Sequence, residues 1–341
     1  MGFGKAVPAL EVQNDDLKAL VDTNDEWIRT RTGIESRHVA VGESNADLAE
    51  QAAREALGWD AGGFAERCLE AGEIDLVVFA TITPDTVVPS MAGLLRRRLG
   101  LENAIAFDVN AACTGFVYGL TVAEVLMAAS APKTPGAAGR NPVRRALVVG
   151  AERLTRLTNW ADRNTCVLFG DGAGAVLLEN TEDEGADCVV ASDLHTDGGY
   201  GDILKMPAGG SRRPASVESV GAHDHFIHME GKEVFKLAVN AMVGAGKNVL
   251  EEAGITPDEV KLVIPHQANS RIILAVAPRL GVPDERVFMN ISRYGNTSAA
   301  SIGLCLDEAF RAGRIAKGDY VLLTAFGGGL TWGGAIFQYK E

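Results

Sequence analysis

A chain of 341 residues has room for one large domain or two of ordinary size, and 47% apolar with 23% charged residues is a globular composition. A net charge of −13 argues against general nucleic-acid binding, though it leaves room for a local basic patch. Cys68, Cys113, Cys166, Cys188 and Cys305 are odd in number and contain no C-x-x-C, so they indicate neither a disulfide framework nor zinc. No run of about 18 uncharged apolar residues is expected, because Glu124 interrupts the apolar stretch after Cys113. With no signal-peptide core in MGFGKAVPAL, the expectation is a cytoplasmic protein without membrane contact.

In chain order, Asp22–His38 is polar with Trp27 among its charges, and Ser44-x-x-Asp47 then caps a helix with Leu48, Ala52, Ala56 and Leu57 on its apolar face. Ile74–Thr81 reads as a buried strand, Ser90–Leu99 as a short helix, Ala104–Val109 as a strand and Thr114–Met127 as a helix. Ser130–Arg145, with three Pro and two Gly, is a surface loop, and Ala146–Gly150 is a strand. Asp171-Gly172 reads as a hairpin turn inside Cys166–Leu178. Lys232–Ala253 is a long amphipathic helix stopped by Gly254. Strands at Val260–Ile264 and Val287–Ile291 alternate with helices at Ser270–Leu280 and Ser298–Phe310. Strands at Tyr320–Phe326 and Gly333–Tyr339 close the chain.

The order strand, helix, strand, turn, helix, strand, hairpin occurs twice. An α/β chain of two pseudo-symmetric halves follows, 1–180 and 181–341. In the overlay, the turn carrying Cys113 matches the turn carrying Asn296, and the strand ending at Thr81 matches the one ending at Pro265-His266. Equivalent strand ends of such halves can meet at one crevice, so Cys113, His266 and Asn296 are expected to converge. Cys113 itself stands where a strand gives way to a helix. The free N–H groups of a first helical turn stabilise a thiolate and can hold an oxyanion, although most free cysteines are inert core residues.

Ala112-Cys113-Thr114-Gly115-Phe116, Pro265-His266-Gln267-Ala268-Asn269 and Tyr294-Gly295-Asn296-Thr297-Ser298-Ala299-Ala300-Ser301 carry the chemistry. With Phe326-Gly327-Gly328-Gly329-Leu330-Thr331-Trp332-Gly333, Asp25-Glu26-Trp27 and Thr30-Arg31-Thr32-Gly33-Ile34, they resemble β-ketoacyl-(acyl carrier protein) synthase III over nearly the whole chain. The resemblance implies a thiolase-like fold of α-β-α-β-α layers. It also implies a decarboxylative condensation of an acyl-CoA primer with malonyl-acyl carrier protein, opening fatty-acid synthesis without metal or other cofactor, in a homodimer.

Cys113 is implied as the nucleophile, with a lowered pKa. His266 and Asn296 are implied as hydrogen-bond donors to the enolate left by CO2 loss, a task an Asn amide can do although it cannot act as a base. Backbone N–H groups of Cys113 and Gly328 are implied as the oxyanion hole. A thiolase would be expected to carry a second cysteine among the His266 and Asn296 segments, and Cys305 reads as core instead. Trp27, Arg31 and Arg163 resemble the residues that hold the CoA adenine. Lys236, Arg271 and Arg279 resemble the carrier-docking positions, and Val88 and Phe235 fall at the acyl pocket. In the family the residue at Val88 reaches across the dimer interface, and a small side chain there implies room for longer or branched primers.

Other readings stay open on the residues alone. A specialised polyketide- or quinolone-type condensing enzyme would share the chemistry. A papain-like hydrolase also uses Cys, His and Asn, but its C-G-[SA]-C signature is missing and its fold lacks the repeat. A non-catalytic carrier-binding scaffold would not need the intact trio. His223, His225 and His228 match no zinc spacing, and Gly170–Gly174 lacks the G-x-G-x-x-G and P-loop patterns. The chain starts at Met1-Gly2, where the family has several apolar strand residues first, which puts the edge of the first sheet in question.

Overall fold

The structure, a computed structural model, describes residues 1–60, 64–65, 67–130, 143–179 and 188–339. Most of the expected loop at Ser130–Arg145 and the expected boundary at 180/181 lie outside the described residues.

Strand β1 (Gly2–Ala6) leads to β2 (Leu10–Gln13), α1 (Asp25–Thr32), β3 (Ser36–Val39) and α2 (Asn45–Ala56). Next come β4 (Phe64–Ala65), β5 (Leu76–Ala80), α3 (Met91–Arg98), β6 (Ile105–Val109) and α4 (Gly115–Ser130). Strand β7 (Arg145–Arg153), α5 (Arg163–Cys166) and β8 (Asp171–Glu179) follow. The remainder begins with β9 (Val189–Thr196), β10 (Leu204–Lys205), α6 (Val217–Gly221), β11 (His228–Met229) and α7 (Gly231–Ala253). It ends with β12 (Val260–Pro265), α8 (Ser270–Leu280), α9 (Ile291–Tyr294), α10 (Ala300–Arg311), β13 (Tyr320–Gly327) and β14 (Thr331–Gln338).

Local signals account for several boundaries. The Ser44 hydroxyl accepts from the Asp47 N–H while the Asp47 carboxylate accepts from the Ser44 N–H, a reciprocal cap at the start of α2. Helix α7 stops at Gly254, which takes a left-handed φ of 67°. The polar Asp22–His38 stretch contains α1, whose N-terminus is capped by the Asn24 side chain.

Two sheets share one plan. The first runs β4-β1-β8-β7-β5-β6, the second β12-β13-β14-β9. In the first, β7 and β8 are antiparallel, β5 is parallel to β7, and β6 is parallel to β5. In the second, β13 and β14 are antiparallel, β12 is parallel to β13, and a single parallel bridge from Val263 to Val287 stands where β6 stands in the first. The expected strand at Val287–Ile291 is therefore reduced to that bridge, and its last residue, Ile291, already begins helix α9.

Two further expectations are corrected. Asp171-Gly172 is no hairpin turn but the start of β8, paired with Arg153 and Glu152 of β7. The buried Asp171 carboxylate accepts hydrogen bonds from the Thr155 N–H and hydroxyl and the Ala40 N–H, so its polar atoms are satisfied inside the sheet. Strand β1 is no exposed edge, since it pairs along all of its length with β8 and is flanked by β4.

Helices α4 and α10 lie between the sheets. Phe116, Val117 and Leu120 of α4 and Ile302, Leu306 and Phe310 of α10 share one core with Val78 and Val148 of the first sheet and Ile264 and Leu323 of the second. Helices α2 and α3 cover the outer face of the first sheet, and α7 and α8 the outer face of the second. The result is the expected α-β-α-β-α sandwich. Its central position explains the apolar character of α4. Ala112–Ala129 reaches the length and mean hydropathy of a membrane-crossing helix with Glu124 inside it, so the uncharged run is still interrupted as expected. Here that segment is a layer of the protein core along its first half.

Both central helices are entered through a non-glycine residue with positive φ, Ala112 at 47° ahead of α4 and Ser298 at 49° ahead of α10. Such backbone costs roughly 1–3 kcal/mol per residue and persists only where its surroundings fix it. Both sites of strain fall at the crevice described next.

Candidate active site

Strand β6 ends at Val109, and Cys113 sits in a 3-10 turn, Ala112–Thr114, that runs into α4. The turn is tied to β14: the Thr114 hydroxyl donates to the Thr331 carbonyl (3.1 Å) and the Thr331 hydroxyl to the Ala111 carbonyl (2.8 Å). Gly327, the last residue of β13, packs so closely that an added Cβ would lie 2.7 Å from the Cys113 nitrogen. Only glycine lets the two backbones meet there.

Strand β12 delivers His266, whose N–H donates to the Thr324 carbonyl at 2.8 Å. Buried Gln267 fixes the segment that follows. Its side-chain oxygen accepts from the Asn290 and Ile291 N–H groups, and its amide donates to the Pro265 carbonyl. Asn296 is anchored through its backbone to Leu168 and Gly170. Its Oδ1 accepts from the Ser298 N–H at 2.9 Å, so Nδ2 is the group left to offer to a ligand.

The state of His266 follows from its neighbours. Its Nδ1 is 2.7 Å from the Ser301 hydroxyl, and that oxygen also accepts from the Gln267 N–H at 3.4 Å. Nδ1 is thereby engaged with Ser301, and Nε2 is the ring nitrogen left for a ligand in the cavity. Burial lowers the imidazole pKa to about 3, so the ring is neutral at physiological pH.

For Cys113 the expectation of a lowered pKa is overturned. Burial pushes the thiol up to about 12, and the charge of Glu152 adds to the rise; Ser298 and the cysteine's own N–H act in the opposite direction. Desolvation is the largest of these influences, so the free protein holds a thiol rather than a thiolate. Glu152, at the end of β7, is fully buried and accepts from the Thr83 hydroxyl (2.5 Å), the Thr81 hydroxyl (3.1 Å) and the Ile82 N–H (3.2 Å). Burial raises this carboxyl to about 7 against those hydrogen bonds.

Cys113, His266, Asn296 and Gly328 line one cavity of about 890 Å³, together with Trp27, Arg31, Phe235 and Arg271. Its exposed lining carries the cations Arg31, Lys205, Lys232 and Arg271 against the one carboxylate Asp162, a local basic surplus on an acidic chain, and its walls include Ile82, Leu154, Leu157 and Ile227. Arg163 is outside the lining but stacks on Trp27, its guanidinium 3.9 Å from the ring centre, while Arg31 lies 4.6 Å from the same ring.

Lys236 and Arg279 are exposed on α7 and α8 outside the cavity, with Arg279 bonded to Asn240. Val88 is not brought to the cavity either; it is 84% exposed on the loop before α3. Cys305 is core, its thiol donating to the Asn290 side chain. His225 bonds Ser219, and no group of three or more His, Cys, Asp or Glu among the described residues is arranged to hold a metal ion. Sequence reasoning missed Gln267, Ser298, Ser301 and Glu152 as parts of the site. The first three lie inside the quoted motifs, and the lone charge ending the apolar run Ala146–Ala151 was the signal for Glu152.

A cysteine turn, a histidine loop and an asparagine loop, meeting where two like-built sheets flank paired central helices, define a condensing enzyme of the thiolase-like class. Residues 107–198 match the family model for 3-oxoacyl-[acyl-carrier-protein (ACP)] synthase III, and residues 250–339 match the model for its C-terminal part. The beta-ketoacyl-[acyl-carrier-protein] synthase III of Caldanaerobacter subterraneus is 45% identical over 100% of this chain and 97% of its own. The crystal structure of 3-oxoacyl-[acyl-carrier-protein] synthase III from Aquifex aeolicus superposes with a TM-score of 0.86 at 42% identity, covering 99% of this chain and 98% of that one. The priming beta-ketosynthase of the R1128 polyketide pathway gives 0.85 at 35%, covering 100% and 95%. The chain belongs to the 3-oxoacyl-[acyl-carrier-protein] synthase III family and is a condensing acyltransferase of fatty-acid synthesis.

Proposed function

We propose that Cys113 takes the acyl group of an acyl-CoA and passes it to the carbanion formed from malonyl-acyl carrier protein, giving 3-oxoacyl-acyl carrier protein, CoA and CO2. The supporting observation is that Cys113, His266 and Asn296 line one cavity, with His266 held neutral by burial and its Nδ1 engaged by Ser301. In acylation the Cys113 sulfur bonds the acyl carbon, the bond to the CoA sulfur breaks, and the thiol proton leaves with CoA. The backbone N–H groups of Cys113 and Gly328 hold the oxyanion. In condensation the malonyl C–C bond breaks to release CO2. His266 and Asn296 Nδ2 stabilise the enolate oxygen, and the enolate carbon displaces Cys113 from the acyl group as a thiolate, which takes up one proton from solvent to return to the thiol. No step needs a metal or a resident cofactor. Stoichiometric release of CO2, CoA and 3-oxoacyl product tests this reading. Release of free acid without malonyl-dependent product contradicts it.

The resting thiol fits this division, since a neutral thiol and a neutral imidazole keep the donor geometry intact between turnovers. The cationic lining suits the phosphates of CoA and an acidic carrier protein, with Arg271 in the lining and Lys236 and Arg279 on the adjoining helix faces. An adenine would be held between Trp27 and the guanidinium groups of Arg163 and Arg31 that now face the ring. Trp27→Ala is expected to raise KM for acyl-CoA about tenfold with kcat little changed, as loss of a stacking face does. An unchanged KM removes Trp27 from the CoA site.

The repeated sheet order supports two halves, 1–180 and 181–341. Phe235 serves the acyl pocket from α7, and Val88 serves it from a second copy of the chain in a cytoplasmic homodimer, in keeping with its exposure here. With valine at that position, butyryl- or isobutyryl-CoA is expected to prime at least as well as acetyl-CoA. A strong acetyl preference in a primer comparison contradicts this. The likeness to the R1128 priming enzyme favours a second reading, a specialised polyketide condensation, which primer and carrier preference separates from the first.

A further inference from the structure

Ser298 is 1% exposed and lines the cavity with Cys113; its hydroxyl makes no hydrogen bond of good geometry, yet it stands close enough to Cys113 and Glu152 to act on both. A buried, unpaired hydroxyl costs free energy unless something it meets during turnover repays it. Its backbone is held at a φ of 49° by the bond from its N–H to Asn296 Oδ1. The next residue, Ala299, is wedged between two elements. Its carbonyl oxygen would lie 2.3 Å from a Cβ on Gly150, two residues before Glu152, and its methyl group 3.5 Å from a Cβ on Gly115, two residues after Cys113. The strained turn is thus packed through Ala299 against both β7 and the start of α4, and Ser298 beside it lines the cavity with Cys113.

We propose that Ser298 is a positioning residue for the Cys113 sulfur, its hydroxyl donating to the sulfur as negative charge develops there, and that Glu152 is the opposing buried group whose charge restrains the same sulfur. This inference rests on Cys113 being the nucleophile. The donated bond strengthens as the thiol loses its proton, so it favours the transition state over the resting thiol. The charged and titratable groups facing Cys113 are Glu152 from β7 and neutral His266 from the end of β12. Glu152 is in turn faced by Thr81, Thr83, the Ile82 N–H and Ser298. The directions agree with the geometry: Ser298 lowers the thiol pKa, and Glu152 raises it.

The test is the pH–rate profile for iodoacetamide alkylation of Cys113 in the full chain, followed by peptide mass spectrometry. It uses no acyl-CoA, so it reads the sulfur even if the proposed acyl chemistry is wrong. Ser298→Ala is expected to slow alkylation at pH 8 roughly tenfold and move the profile to higher pH. Glu152→Gln is expected to speed it severalfold and move the profile to lower pH. Ser298→Gly, which takes positive φ without strain, is expected to match Ser298→Ala and decides the question if the alanine variant does not fold. Ser298 variants that stay within twofold of wild type, or a shift of both positions in the same direction, would overturn the proposal. In acyl transfer the Ser298 variants should lose kcat with KM for acyl-CoA kept, and the reverse split also counts against it.

Discussion

His266→Ala and Asn296→Ala are each expected to accept one acyl group from acyl-CoA at near the normal rate, yet to release CO2 from malonyl-acyl carrier protein about 100- to 1,000-fold more slowly. The reason lies in what the two side chains can do. Both stand on rigid ends, His266 beyond β12 with its ring fixed by Ser301, and Asn296 on a loop tied to Leu168 and Gly170. One is a neutral ring with a pKa of about 3, the other an amide whose oxygen is already used. Neither is suited to take the Cys113 proton, and both are suited to give a hydrogen bond to an oxyanion. Such donors contribute where charge develops, which in the proposed reaction is the enolate. Mass spectrometry of the acyl adduct and a CO2 assay on the pre-acylated protein separate the two steps. Loss of acylation in either variant would show that the roles are divided differently.

Cys113→Ala is expected to abolish condensation, by at least about a thousandfold, because the acyl group then has no covalent place between the two substrates. Its effect on stability should be small. Cys113 is only partly buried at the cavity wall, and removing one sulfur there deletes little packed surface. Thermal melting with product assay checks both halves of this expectation. A variant that condenses at a tenth of the normal rate would move the nucleophile elsewhere.

Much of the fold was legible because its signals are local or periodic. The Ser44 cap, the Gly254 stop and the apolar faces of α2 and α7 lie in the sequence. The internal repeat went further, since it anticipated that the Cys113, His266 and Asn296 segments would meet. What could not be read depends on partners distant in the chain. Asp171 looks like a turn residue until Thr155 and Ala40 are seen to satisfy its carboxylate inside β8. Val287 has strand character but finds only Val263 to pair with. The thiol was misjudged for a similar reason. A helix terminus is visible locally, whereas the burial and the buried carboxylate that outweigh it come from β7 and the opposite half. Ser298 and Ser301 were inside a recognised motif, but only the three-dimensional arrangement shows that Ser301 engages the histidine ring and that Ser298 lines the cavity with the cysteine.

The central claim is that Cys113 carries the acyl group. Incubation of the protein with a panel of acyl-CoAs, followed by intact mass measurement and peptide mapping, tests it most directly. One acyl group per chain is expected, located on the peptide containing Cys113 and missing from Cys113→Ala. Labelling at any other residue, or full labelling in Cys113→Ala, would contradict the account.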